Sequence, residues 1–296
     1  MDIRDIEIFL TLSEELHFGR TADRLRVSVA RVSQAIKKQE RGVGAELFER
    51  TSRSVRLTTV GEQLRADLRP IYQGLSESLE RARLTAQGKT GVLRIGVLSS
   101  NAYELRPYWQ AFRARCPKWG LQIRSVPFPT PFEPLRTREI DVLVSWLPVE
   151  EPDLTVGPVL FTEPRVMVVE PDHELAGARS VSAEAFGDHG VLKGPDSLPD
   201  YWEDAFSPFC TPSGRPIERR IVVPSLEDLF TIVGTGQAVT VLAAHVTRFH
   251  ARPDIVYLPV HDGPCLRWGL VWSSALESDP IRTLAQVVRD LGGLTL

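Results

Sequence analysis

The chain runs to 296 residues, of which 43% are hydrophobic and 25% charged, enough for about two or more domains with real cores. Its net charge of −3 hides a split: residues 18–56 carry ten Lys/Arg against four acids, a net of +6, whereas residues 89–296 carry 20 basic and 25 acidic residues, a net of −5. A basic block on an acidic body suits one surface that meets a polyanion and another that avoids it, although a solvated charged face has the same composition; no stretch approaches the ~20 apolar residues of a membrane helix, which excludes a helical membrane protein.

At the N-terminus, Met1-Asp-Ile-Arg-Asp-Ile-Glu7 places acids where a secretory signal needs a basic and then an apolar run, so the expected location is the cytoplasm. A first helix is predicted over residues 3–15, with Ile3, Ile6, Phe9, Leu10 and Leu16 on its core face and Asp2 and Asp5 serving its N-terminus. The second helix is predicted over 20–25, with Ala22 and Leu25 inward and Phe18 as a packing anchor. Val27-Ser28 makes a turn, and Ser28 is placed to cap a third helix over 29–41.

In that third helix Val32, Ile36 and Gln39 share an inward face, which leaves Arg31, Ser33, Gln34, Lys37 and Lys38 outward. A recognition helix presents its N-terminal residues to base edges in the major groove. Gln34 can bond adenine bidentately, Arg31 can bond guanine, and Val29 can touch a thymine methyl. Ser33, Lys37 and Lys38 suit phosphates, which position a protein without reading sequence, and Ser28 completes the expected DNA-facing set. A solvated polar helix face would also look like this. Beyond the helix, Gly42 and Gly44 break the chain, Leu47 and Phe48 turn inward, and residues 50–57 read as a two-stranded wing. Arg50, Arg53 and Arg56 of that wing are expected on phosphates or in the minor groove.

The run from Phe9 to Gly61 resembles the winged helix-turn-helix of LysR-type transcriptional regulators. The matching pieces are Phe18-Gly-Arg-Thr-Ala-Asp-Arg-Leu25, Val27-Ser28, Val32-Ser33-Gln34-Ala-Ile36, Glu40, Leu47-Phe48-Glu49-Arg50 and Val55-Arg56-Leu57-Thr58. One piece departs from the pattern. The family usually has a Gln-Pro-Ala-like run after the turn serine, and Val29-Ala30-Arg31 stands there instead. That departure implies a half-site different from most relatives.

Thr58-Thr59-Val-Gly-Glu62 then resembles the start of the family's linker helix, with Thr59 and Glu62 at capping-box spacing. The helix is predicted to reach about residue 87, with a kink or weak turn at Pro70. Leu64, Leu68, Ile71, Leu75, Leu79 and Ala82 recur at spacings of 4, 3, 4, 4 and 3, a coiled-coil-like seam. Packing on its own domain would satisfy that seam. Pairing with a second copy would also set two reading heads at a fixed spacing on a pseudo-palindromic site. Gln87-Gly88-Lys89-Thr90-Gly91 reads as the hinge.

From Val92 short apolar strands alternate with helices, which implies α/β layers. Strands are expected at 93–98, 122–126, 141–146, 165–169, 191–192, 221–223, 239–242, 255–258 and 269–272. Helices are expected at 102–115, 131–137, 198–206, 226–234 and 280–291. Gly91-Val-Leu-Arg-Ile-Gly96, Glu170-Pro-Asp-His173-Glu-Leu-Ala176 and Gly234-Thr-Gly-Gln-Ala-Val-Thr-Val-Leu242 resemble landmarks of the same family. The resemblance implies two Rossmann-like subdomains of periplasmic-binding-protein type. The expected division is a winged helix-turn-helix over 1–58, a linker helix over 59–89, and a body over 90–296. Within the body, subdomain I takes 90–161 and 266–296, and subdomain II takes 162–265.

A cleft between two such subdomains is a natural small-molecule site. Ser99, Ser100 and Asn101, after the first strand, offer hydroxyls and N–H groups for an anionic group, and Thr130, Lys193 and Ser225 are placed on other edges. Ser225 and Asp228 also have capping-box spacing, so an ordinary helix cap explains Ser225, and Lys193 fits a solvated loop.

Other chemistry has little support. Gly234-Thr-Gly236-Gln-Ala-Val239 lacks the third glycine of a dinucleotide fingerprint, and no nucleophile-elbow, zinc-protease or phosphate-loop motif occurs. Cys116, Cys210 and Cys265 lie 94 and 55 residues apart, which is neither metal nor redox spacing. His173, His245, His250 and His261 are scattered, and Trp268 and Trp272 read as core or interface. The expected protein has no catalytic residues, metal or cofactor. It reads double-stranded DNA as a homodimer or homotetramer, takes a small-molecule effector, and meets RNA polymerase at a promoter. A body that only oligomerises, or a cytoplasmic solute-binding protein, are the alternatives.

Overall fold

The computed structural model describes residues 2–50, 55–86, 88–98 and 100–295. It divides into two units, Met1–Gln87 and Gly88–Leu296.

The first unit is built from short, firmly capped helices. Helix α1 (Ile3–Glu15) starts where Asp2 accepts the Asp5 backbone N–H, and α2 (Phe18–Leu25) starts where the His17 ring accepts that of Arg20. Helix α3 (Val29–Val43) begins at Ser28, whose hydroxyl accepts the Arg31 N–H at 3.2 Å, and ends at Gly44 with φ 78°. Leu16 and Arg26 adopt left-handed backbone, φ 46° and 54°, and so turn the chain sharply between helices. Strands β1 (Phe48–Arg50) and β2 (Val55–Leu57) pair antiparallel, Phe48 opposite Leu57. The tip of the expected wing, 51–54, lies outside the described residues.

The core of this unit holds Ile8, Phe9, Leu12, Ala22, Val32, Ala35, Ile36, Leu47 and Phe48. Phe9 meets Phe48 edge-on at 5.6 Å. The inward face of α1 differs from the expected one. Ile8, Phe9 and Leu12 are buried whereas Ile3 and Leu16 are exposed. The inward row is 5, 8, 9 and 12, and Asp5 belongs to it; reading Asp5 as a terminus residue shifts the phase of the whole face.

Helix α4 (Thr59–Ala86) runs continuously through Pro70. Its cap is Thr58 rather than Thr59. Thr58 Oγ1 accepts the Gly61 N–H at 3.0 Å and donates to the Glu46 carbonyl at 2.8 Å. Gly61 permits this close seat, because a Cβ there would lie 2.1 Å from the Leu47 carbonyl oxygen. Leu64 and Leu68 pack onto the unit's own core.

The second unit holds two lobes. Chain order is β3 (Gly91–Val97), α5 (Arg106–Arg115), β4 (Trp119–Ser125), α6 (Glu133–Arg136), β5 (Val142–Leu147) and β6 (Leu154–Glu163). It continues through β7 (Arg165–Val169), α7 (Phe186–His189), β8 (Val191–Lys193), α8 (Asp200–Phe206), β9 (Arg219–Val222) and α9 (Leu226–Gly234). Last come β10 (Thr240–Ala243), α10 (Val246–Phe249), β11 (Val256–Pro259), β12 (Leu266–Ser273), α11 (Asp279–Leu291) and β13 (Leu294–Thr295). A six-stranded sheet, β13-β6-β12-β5-β3-β4, forms the first lobe, with β3 parallel to both β4 and β5. The second lobe has the antiparallel sheet β10-β7-β11 and the parallel pair β8-β9.

The chain passes between lobes at Pro164, since Glu163 ends β6 and Arg165 begins β7. It returns between β11 and β12. Arg165 is buried at this passage and donates to the carbonyls of Ala205, Phe206 and Pro264. Strand β6 has no counterpart among the expected strands, and its run is interrupted by Gly157-Pro158. Those residues sit where the pairing with β12 shifts register, so the proline costs no ladder bond.

Candidate DNA-reading face and ligand cavity

Helix α3 presents Gln34, Lys37 and Lys38 exposed and Ser33 half-buried, while Val29 keeps 50% of its surface free at the helix start. Val32, Ala35, Ile36 and Gln39 hold the opposite face down. Ser28 spends its hydroxyl on the helix cap.

Two of the expected contacts are tied to α1. Asp5 is fully buried, yet its carboxylate takes Arg31 Nη2 at 2.9 Å and Lys38 Nζ at 2.7 Å. Lys38 also reaches Asp2 at 3.4 Å, and Gln39 donates to the Asp5 carbonyl at 2.8 Å. Burial pushes the Asp5 carboxyl up, but hydrogen bonds from Lys38 and Arg31 pull it down, and the balance lies below the ordinary carboxylate value. Lys38 is raised, chiefly by its hydrogen bond to Asp5. Arg31 and Lys38 therefore sit in fixed positions, and Gln34 and Lys37 project without such an anchor from the described part of α1. The sequence pattern places Asp5 at the helix terminus and does not show its tie to α3. The signal was its spacing of three, four and seven from Ile8, Phe9 and Leu12.

On the wing, Arg56 is exposed on β2 opposite Glu49. Arg50 lies on β1 opposite Val55, and Arg53 lies outside the described residues.

In the second unit a cavity of about 310 Å³ opens between the lobes. Leu98, Ser125, Phe128, Trp146 and Trp268 face it from the first lobe, and α8, α9, β10 and α10 supply half of the remaining wall. Lys193 and Ser225 both line it. Lys193 Nζ is paired with Asp196. Ser225 caps α9, accepting the Asp228 N–H at 3.1 Å and donating to Asp228 Oδ2 at 2.6 Å. Thr130 is not on the wall; its carbonyl accepts the Glu133 N–H in the turn leading into α6. Ser100 and Asn101 open a short 3-10 turn, Ser100–Tyr103, and Ser99 lies outside the described residues.

Aromatic residues dominate what the sequence reading left out. Trp146 stacks on Trp202 at 3.7 Å and meets Trp268 edge-on at 5.6 Å. Trp268 is thus both core and cavity wall. His245, taken as structural or exposed, is buried on the same wall, with Nδ1 at 2.8 Å from Glu163 Oε1. The three tryptophans and His245 lie at least 23 positions apart in the chain, so no local motif marks them.

Residues 3–62 match the family model for the bacterial regulatory helix-turn-helix protein of the lysR family, and residues 86–292 match the LysR substrate binding domain. The chain belongs to the LysR family. Among curated relatives it is 31% identical over 219 residues to the HTH-type transcriptional regulator AlsR of Bacillus subtilis, covering 73% of this chain and 72% of that protein. It is 28% identical to the HTH-type transcriptional regulator ShiR of Corynebacterium glutamicum, covering 92% of both. The fold is that of full-length CbnR complexed with its target DNA, with a TM-score of 0.65 at 19% identity over 99% of this chain and all of that one.

This LysR protein is a DNA-binding transcriptional regulator with an effector-type body. Its relatives named above are transcriptional regulators. The cavity between lobes lies within the matched substrate-binding domain. Among the described residues no helix is long and apolar enough to cross a membrane, and no group of side chains has the makings of a metal site.

Proposed function

We propose that this LysR regulator binds a pseudo-palindromic DNA site as a homodimer or homotetramer joined through α4, and that a small molecule in the lobe cavity controls it. In this reading Gln34 and Val29 meet base edges, Lys37, Ser33 and the wing arginines meet phosphates, and no chemical step is catalysed. The protein works in the cytoplasm, beside its DNA and RNA polymerase.

The observation that carries the assembly is the state of the α4 seam. Leu64 and Leu68 are used up on the core of the first unit, whereas Ile71 and Leu79, farther along the same seam, are 64% and 53% exposed. Large aliphatic side chains at 4-3-4-4 spacing favour a partner helix. A charged pair on the seam tests this. Ile71→Glu with Leu79→Glu should halve the particle mass seen by light scattering and weaken binding to a two-half-site duplex by about 100-fold, because each reading head then binds alone. Unchanged mass would rule out α4 as the joint.

A further inference from the structure

The cavity wall is chemically one-sided. Phe128, Trp146, Phe206 and Trp268 give it aromatic faces, and its volume of about 310 Å³ sits at the small end of the ~300–1,000 Å³ of ligand pockets. The charges on the described wall are already answered. Lys193 is paired with Asp196, Glu203 binds Arg219 and accepts the Gly194 N–H at 2.6 Å, and His245 faces Glu163. Burial, with His245 and Arg252 nearby, holds His250 below its ordinary range and so uncharged near neutrality. The N-terminus of α9 carries its own acids, Glu227 and Asp228, in its first turn. Among the described wall residues an anion must displace an existing partner to reach a cation, and its desolvation is answered only at that cost.

Hydrogen-bonding capacity, by contrast, is left over. Trp268 and Ser207 both line this wall, and the indole Nε1–H of the one and the hydroxyl of the other are buried with no partner among the described residues. Buried donors in native proteins are almost always satisfied, and an indole N–H can only donate. What completes it is an acceptor.

We infer that the effector is a small, uncharged, ring-bearing molecule with a hydrogen-bond acceptor such as a carbonyl oxygen, held by the aromatic faces and oriented by Trp268 and Ser207. This rests on reading the cavity as the effector site. The acceptor takes the Trp268 N–H, the ring packs against Trp146 and Phe128, and carboxylates of the same shape are rejected.

Three probes of one shape test this on the full chain by calorimetric titration: acetophenone, ethylbenzene and benzoate. Acetophenone should bind at least about tenfold tighter than ethylbenzene, which lacks the acceptor, and at least about tenfold tighter than benzoate, which is charged. Trp268→Phe keeps a ring and removes the N–H; it should bring acetophenone most of the way down to the affinity of ethylbenzene, with Ser207 supplying the remainder, and leave ethylbenzene unchanged. Ser207→Ala, a smaller change, should weaken acetophenone alone and serves if Trp268→Phe does not fold. Benzoate binding tightest, no binding by any probe, or acetophenone unaffected in both variants would overturn the inference. A parallel titration of labelled duplex separates the two claims. Acetophenone that binds as predicted but leaves the protein–DNA complex unaltered removes the effector reading and keeps the ligand class.

Discussion

If Arg31 and Lys38 meet DNA as the sequence pattern implies, Asp5 and DNA compete for the same two cations. A carboxylate with no solvent exposure holds Arg31 and Lys38, both half-exposed on the reading helix. In the free protein these side chains are positioned rather than searching, which lowers the ordering cost on binding. Asp5→Asn removes the charge and keeps the shape. Its salt dependence on random duplex should steepen by about one to two units of slope, since each cation freed for phosphate adds ~0.9. The check is affinity measured across a salt series, and an unchanged slope would show that DNA never draws on these residues. The same residue carries a pH signature. Because the folded Asp5 carboxyl lies below its ordinary value, its contribution to stability is present above the unfolded value of about 3.9 and is lost as pH falls through the folded one. The stability gap between wild type and Asp5→Asn, followed by denaturant melts, should therefore shrink on acidification below about pH 4. At this scale Arg31 was legible as an outward cation, and its anchor was not. Pairing across 26 residues has no local pattern, and an acid beside Asp2 looks like a helix terminus.

Local elements were more legible than single contacts where capping and periodicity agree. Helix α1 spans Ile3–Glu15, and α9 spans Leu226–Gly234, as predicted from their apolar spacing and flanking caps. Disagreement arose where two neighbours compete for one role. Thr58 and Thr59 both suit a cap, and Thr58 takes it because its hydroxyl also reaches Glu46 across the strand. Thr58→Ala should cost about 1 kcal/mol of first-unit stability, measured by denaturant unfolding, with Thr59→Ala close to neutral. Strand β6 shows the opposite difficulty. Gly157-Pro158 breaks the local pattern, yet a bulge against β12 absorbs it, and only the tertiary pairing makes the strand visible.

Across the whole molecule, charge and cavity divide the work. The basic stretch lies in the unit matched by the helix-turn-helix model, and the acidic remainder lies in the unit matched by the substrate-binding domain. The reading face was legible because it is nearly continuous in sequence. The cavity was not, since residues from Leu98 to Trp268 converge on it and its aromatic wall has no periodicity along the chain. Of the residues expected on its edges, Lys193 and Ser225 line it and Thr130 does not, and no local pattern separates the three. Full-length protein titrated onto its own upstream duplex and onto a scrambled duplex at ~0.15 M salt should bind the upstream duplex at least about 1,000-fold tighter; equal affinity for the two would show that this chain does not select that DNA by sequence.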